Sequence, residues 1–485
     1  MRTTKLIVLT LALSVFNIGC DSEPSTTEVN DPVASNSESF MDASFYNNRG
    51  DDYQRQGELD KAITDFTKAI ELDPQLANTY SNRAETYRNH GELDKAFADL
   101  TKALELDLQL PEPYNNRGKF YYNQGEFDKA ITDFTKAIEL DPQLPEPYKN
   151  RGEAYRNHGE LDKAMVDYNK AIELNPADAI TYNNRGKAYY NQGELGKAMV
   201  DYNKAIELDP QLANTYSNRG EAYRIHGELD KAFADLTKAI ELDPQLPEPY
   251  NNRGEAYRTQ GELDKAIADL TKAIELDPLM MAAYSNRGVA YEDQGELDKA
   301  LIDYSKAIEL DPADAIAYNN RGHAYENQGE LDKAILDYTK AIELDPRFAV
   351  AYYNRGEAYR NHGELDKAMV DYNKAIELNP ADAIAYNNRG KAYYNQDELG
   401  KAIADYTKAI ELVPAYAVAY YNRGFAYYQQ GELDKTIADF TKVIELNPQL
   451  AIAYYNRGFV FEELGNKENA EADYAKAKEL GYEPE

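Results

Sequence analysis

Apolar and small side chains return along this chain in two helical stretches parted by a fixed polar break. The first stretch reads Tyr-x-Asn-Arg-Gly-x-x-Tyr and the second Ala-Ile-x-Asp-Tyr-x-Lys-Ala-Ile-Glu-Leu, both with small or apolar residues three and four apart. Between them stands Gly-Glu-Leu-Asp, in which a glycine such as Gly57 suits a left-handed helix end and the next residues start a new helix. The second stretch usually closes on Asp-Pro or Asn-Pro, where proline forbids continuation. The expected element is therefore a pair of helices, repeated.

The period is 34 residues without insertion or deletion, and the opening tyrosine recurs thirteen times from Tyr46 to Tyr454. The thirteen units are 43–76, 77–110, 111–144, 145–178, 179–212, 213–246, 247–280, 281–314, 315–348, 349–382, 383–416, 417–450 and 451–484. Positions below are numbered 1–34 from the first residue of each unit. Two helices cannot bury their faces alone, so neighbouring hairpins must stack. The expected fold is all-α, a solenoid with no room for a second domain in 43–484.

Composition sharpens this picture at two points. Of 41 tyrosines, 13 fall at position 4, 12 at position 11 and 7 at position 24, so the excess belongs to packing and not to a cofactor box. The formal net charge of -32 argues against nucleic acid and anionic lipid surfaces as partners, since both would be repelled.

The N-terminal segment breaks the pattern. Arg2 and Lys5 precede an apolar run from Leu6 to Phe16, which has signal-peptide length and is too short to span a bilayer. Asn17-Ile18-Gly19-Cys20 follows, and resembles a bacterial lipoprotein signal cleaved before the cysteine that is then acylated. Gly19 and Cys20 match that pattern; Asn17 stands where an aliphatic residue is usual. Residues 1–19 would be the signal peptide and 20–42 the acylated cysteine with a flexible tether rich in Ser, Thr, Asp and Glu. The expected location is the bacterial cell envelope, lipid-anchored through Cys20 and outside the cytoplasm.

The repeats resemble the tetratricopeptide (TPR) family over residues 43–485: Gly at position 8, Tyr at 11, Ala at 20, an aromatic or Leu at 24, Ala at 27 and Pro at 32. Tyr replaces the family's Trp at position 4, and single units depart at Ala84, Leu108 and Asp397. The resemblance implies a right-handed superhelix whose first helices line a concave groove, and a function in binding protein segments there.

Three sets of residues are candidates for a role. Arginine at position 7 and aspartate at position 23 occur in all thirteen units, and are expected to pair within each hairpin as a structural ladder. Asparagine fills position 6 throughout: Asn48, Asn82, Asn116, Asn150, Asn184, Asn218, Asn252, Asn286, Asn320, Asn354, Asn388, Asn422 and Asn456. In the family this position faces the groove, and in one branch, the O-linked N-acetylglucosamine transferases, an asparagine row there grips peptide backbone. An amide can donate and accept, so it satisfies a peptide unit whatever its side chain. Repeat duplication alone would also preserve such a row, since 152–198 and 356–402 differ only at Thr181/Ala385 and Gly193/Asp397. The third set is an aromatic patch toward the C-terminus: Tyr353, Tyr421, Phe425, Tyr428, Tyr455 and Phe459, with Val350, Val418 and Ile452 among them.

Charges at positions 9 and 12 are expected to neutralise one another as Glu85/Arg88, Glu153/Arg156, Glu221/Arg224, Glu255/Arg258 and Glu357/Arg360, whereas Lys119, Lys187 and Lys391 are followed by tyrosines. Lys149 alone occupies position 5, with Glu153 rather than asparagine at position 9, which speaks against a clamp for peptide C-termini. No phosphate-cradling loop, metalloprotease motif or nucleophile elbow occurs, and the histidines are too far apart in sequence to share a metal. The expected protein is a non-enzymatic scaffold without cofactor or metal, its membrane contact confined to the lipid. The alternative is a structural spacer or a self-associating surface protein.

Overall fold

The computed structural model describes residues 41–482, and the expected signal peptide, Cys20 and the expected tether up to residue 40 lie outside them. Asp42 lies within them and caps the first helix, accepting the Phe45 amide at 2.9 Å. The described residues fall into two compact units, 41–124 and 125–482. The first holds α1 (Ala43–Arg55), α2 (Leu59–Leu72), α3 (Ala77–Asn89), α4 (Leu93–Leu106) and α5 (Pro111–Asn123). The second runs from α6 (Phe127–Leu140) to α26 (Lys467–Glu479), giving twenty-six helices and no strand among the described residues. Within each unit a helix packs against its hairpin partner, and the second helix of a hairpin packs on the first helix of the next.

The turns follow the chemistry read from the sequence. Glycine at position 15 takes a positive φ, as at Gly193 (φ 76), and lets the chain reverse between helices. Asp397 takes the same place with φ 61, the one non-glycine residue in that region among those described. The second helix stops where the residue at position 31 turns extended, and its Asp or Asn side chain accepts the amide two residues on. That explains how the unit with Leu108 in place of proline still ends cleanly: Gln109 N–H donates to Asp107 Oδ1 at 2.8 Å.

The core is a stack of small residues and rings. Ala164, Tyr168 and Ala188 are wholly buried together, and Ala198, Tyr202 and Ala222 form the next layer. The position-24 ring lies so close to position 8 that a Cβ built on Gly186 would stand 2.6 Å from Tyr202 Cε1. Glycine is required there by approach and not by backbone angle. Ala84 is tolerated opposite the smaller Leu100.

Candidate functional site

The arginine at position 7 holds hairpins both internally and to one another. In the second unit, Arg185 donates from Nε and Nη2 to the two carboxylate oxygens of Asp201, each at 2.7 Å, and from Nη1 to Asn169 Oδ1 of the preceding repeat at 2.7 Å. The same forked bond joins Arg219 to Asp235, Arg287 to Asp303, Arg355 to Asp371 and Arg457 to Asp473. In the first unit it joins Arg49 to Asp65 and Arg83 to Asp99. The ring at position 4 lies against the guanidinium and in most repeats the ring at position 11 does too, as Tyr352 and Tyr359 do for Arg355, both centroids at 5.8 Å. The bond to Asp201 holds the Arg185 pKa above its ordinary value. The sequence pointed to the arginine–aspartate pair. It did not point to the third partner at position 25, a Thr, Asn or Ser such as Thr135, Asn203 or Ser305, which accepts from the arginine one repeat later.

The asparagines at position 6 are tied across repeats by their amide donors. Asn218 donates to Asn183 Oδ1 at 2.9 Å, Asn183 to its neighbour Asn184, and Asn184 to Glu153 Oε2 at 3.1 Å, a relay across three repeats. Asn422, Asn387, Asn388 and Tyr353 form a matching relay. Shorter links run from Asn286 to Asn251 and on to Asn252, and from Asn354 to Asn319 and on to Asn320. Asn456 donates to Tyr421 Oη at 3.0 Å, and Asn82 to Asp51. Asn48 is exposed, and Asn116 and Asn150 hold the same register on their helices. The relay alternates because odd-numbered repeats up to the eleventh carry a second asparagine at position 5 and even-numbered ones carry Ser, Lys or Tyr, a two-repeat rhythm that the sequence holds in plain view and that ends at Tyr455 in the thirteenth.

The aromatic residues near the C-terminus pack mainly on the protein itself. Tyr353 leans on Tyr372, Tyr421 on Phe425 and Phe440, and Tyr455 on Tyr474 and Tyr482. Tyr428 meets Phe459 edge to face and donates to Glu463. Of the six, Phe459 is the exposed ring, at 41%, and Val350 and Val418 are exposed beside that row.

The charges at positions 9 and 12 are paired unevenly. Arg224 forks onto Glu221 at 2.8 and 2.7 Å, and Arg360 reaches Glu357 at 2.8 Å. Arg156 comes no nearer than 3.6 Å to Glu153, and its Nε is buried without a hydrogen-bond partner. Beside it Lys187 is half-buried, and burial together with Arg156 pushes its pKa down. Both line a cavity of about 250 Å³ with Tyr190, Asn218, Glu221 and Asn252. Burial and the facing Glu221 push the Tyr190 phenol up to about 12.

Four of the five histidines link neighbouring repeats. His90 Nε2 lies 3.2 Å from Asp60, and His362 Nε2 lies 3.5 Å from Asp332. His323 Nδ1 lies 2.5 Å from Glu292, which also accepts from Tyr304 and Asn327. That bond raises the His323 pKa.

Stacked helical hairpins, locked in register by a recurrent arginine, define a helical-repeat solenoid. The chain belongs to the tetratricopeptide-repeat family, whose solenoids are typically non-catalytic scaffolds for protein–protein interaction. TPR-repeat signatures match 84–125, 152–193, 186–224, 220–261, 254–295, 293–329, 356–397 and 396–431, and tetratricopeptide-repeat signatures match further units including 43–76, 315–348 and 451–480. No curated protein matches the chain. Among solved structures, the Cut9–Hcn1 hetero-tetramer of APC/C is similar in fold, with a TM-score of 0.52, 17% identity, and coverage of 90% of this chain and 94% of that one. Two MamA structures share 32% and 31% identity over 33% and 34% of this chain, covering 93% and 91% of theirs, with TM-scores of 0.32 and 0.33.

Proposed function

We propose that this chain is a non-enzymatic scaffold, lipid-anchored at Cys20 in a bacterial cell envelope, that holds protein segments along the face built by its first helices. The observation that carries the reading is the asparagine relay. Asn218, Asn286, Asn354 and Asn422 each have the amide nitrogen fixed by the preceding repeat, while the carbonyl oxygen accepts no bond from the protein. A row of such oriented acceptors is ready to meet the N–H groups of an extended peptide with little ordering cost. Replacing Asn286, Asn354 and Asn422 together by Ala is expected to weaken a partner captured by crosslinking in intact cells. Unchanged affinity removes the relay from the binding account. Release of the protein from membranes on Cys20→Ser is the expected result for the anchor.

Self-association has its own support. On second helices, Ile302, Leu336 and Val370 stand 34 residues apart and 66–70% exposed. Three such aliphatics in register are costly to leave in water. If light scattering gives a dimer that I302S/L336S/V370S turns into a monomer, the self-associating alternative gains the lead.

A further inference from the structure

The second helices carry a repeating surface of their own. Position 22 there is Ala or Thr in eight of the thirteen units. In the eighth to tenth it is Ile302, Leu336 and Val370, an unbroken aliphatic row 66–70% exposed. A shallow hollow of about 450 Å³ opens beside Ile302, walled by Leu301, Ser305, Lys306 and Glu309. The charges on the two sides of the row differ. One turn further along each helix stand Lys306, Lys340 and Lys374, held by Glu309 at 2.8 Å, Glu343 at 3.1 Å and Glu377 at 2.7 Å. One turn before the row stand Asp298, Asp332 and Asp366, all exposed. The lysines next to them, Lys299, Lys333 and Lys367, are bound to Glu296, Glu330 and Glu364. Asp298 accepts from an uncharged amide, Gln328 Nε2, at 2.7 Å, and Asp332 lies 3.5 Å from His362 Nε2. That flank is therefore anionic whichever way His362 is protonated. First-turn aspartates suit a helix N-terminus in other units too. Their run beside an unbroken aliphatic row is what sets these three repeats apart. Val166 and Val200 make a shorter row, and Gly196 takes the aspartate's place beside Val200.

We infer that this second-helix face docks an amphipathic helix of a partner protein. The partner's apolar stripe lies across Ile302, Leu336 and Val370, and its lysines or arginines stand on one flank only, against Asp298, Asp332 and Asp366. A helix fits better than an extended segment, because the second helices bond their own backbone groups internally. An extended peptide laid there finds no backbone partners, whereas a helix brings its hydrogen bonds with it. A second copy of this chain fits less well. It brings the same uncompensated aspartates, on a molecule already at a net charge of -32. The inference goes beyond the scaffold reading above, which concerns the first helices, and stands or falls independently of it.

The test measures binding of a labelled twenty-residue helical peptide to the full chain by fluorescence anisotropy. The peptide carries leucine along one stripe and arginine on one flank. Two companions have glutamate in place of arginine, or the same residues in an order without a stripe. The arginine peptide is expected to bind at least tenfold tighter than either companion. Ile302→Ser, Leu336→Ser and Val370→Ser together are expected to weaken it at least tenfold. Asp298→Asn, Asp332→Asn and Asp366→Asn together are expected to weaken it at least threefold, and V166S/V200S to leave it unchanged. All these positions are exposed, so the variants are expected to keep the fold, which circular dichroism checks. Equal binding to the wild-type and triple-serine chains overturns the proposal, as does equal binding of the arginine and glutamate peptides, or no binding of the arginine peptide at all. A dimer that the triple-serine change turns into a monomer also overturns it, because a second copy then covers the row. None of these outcomes touches the first-helix face, whose own test is the asparagine variant above.

Discussion

Residues 152–198 and 356–402 are the same sequence at all but two places, yet they build different surfaces. In the first copy Arg156 hangs loosely beside Glu153, which is engaged instead by Asn184. In the second, Arg360 closes on Glu357 at 2.8 Å, Tyr372 donates to the same carboxylate, and Asn388 turns to Tyr353. The cause is the flanking repeats. Position 5 just upstream is Lys149 in one case and Tyr353 in the other, and position 9 just downstream is Glu221 or Phe425. Internal architecture is therefore a property of the unit, whereas the face offered to a partner is a property of three adjacent units. Copying a repeat copies its fold and not its site.

The largest expected effect tests the shared part. Asp201→Ala strands Arg185, and Asp405→Ala strands Arg389, in equivalent settings with aspartates 6% exposed or less. Each is expected to lower local stability by about 3 kcal/mol, read by hydrogen exchange over its hairpin. A difference between the two larger than about 1 kcal/mol would break the claim that internal architecture is context-free.

Next comes the glycine that admits the ring. Gly186→Ala and Gly390→Ala place a methyl 2.6 and 2.7 Å from Tyr202 and Tyr406, and each is expected to cost about 2 kcal/mol in urea denaturation. Tyr202→Leu introduced with Gly186→Ala reproduces the pairing of Ala84 with Leu100 and is expected to recover part of the loss.

A smaller effect concerns one of the two places where the copies differ. Asp397→Gly is expected to stabilise its turn by about 1 kcal/mol and Gly193→Asp to destabilise its own by a similar amount, because φ stands at 61 and 76. Calorimetry on both variants checks the symmetry.

The smallest lies between the copies. His323 is held by Glu292, which raises its pKa above the unfolded value of 6.5. A raised histidine adds stability that is whole below pH 6.5 and fades as pH climbs through its folded value. At 52% side-chain exposure the gain is a few tenths of a kcal/mol. His323→Gln is accordingly expected to lower Tm slightly at pH 6 and to leave it unchanged at pH 9.

What the sequence made legible divides along the same line. Helix pairs, turn glycines and the arginine–aspartate bond each depend on residues inside one 34-residue period, so periodicity reveals them. The acceptor at position 25 escaped because Thr, Asn and Ser share one task there under three names. The asparagine row was visible, but its relay was not, since Asn218 finds its partner 35 residues back on another helix. The loose Arg156 and the unpaired Lys187 were hidden by the sequence pattern itself, which suggested that Glu153 would neutralise Arg156 as Glu221 does Arg224. A distance of 3.6 against 2.7 Å is beyond what spacing alone can tell.

From the fourth repeat to the thirteenth, each arginine reaches backward for an acceptor at position 25 of the repeat before it. A segment cut out or inserted within that run at any whole number of repeats would thus leave no donor or acceptor stranded at the new joint. Slippage of the gene during replication could lengthen or shorten this protein in steps of 34 residues and return a folded product each time. The 204-residue offset between the twin segments, six whole repeats, has the size such an event would leave.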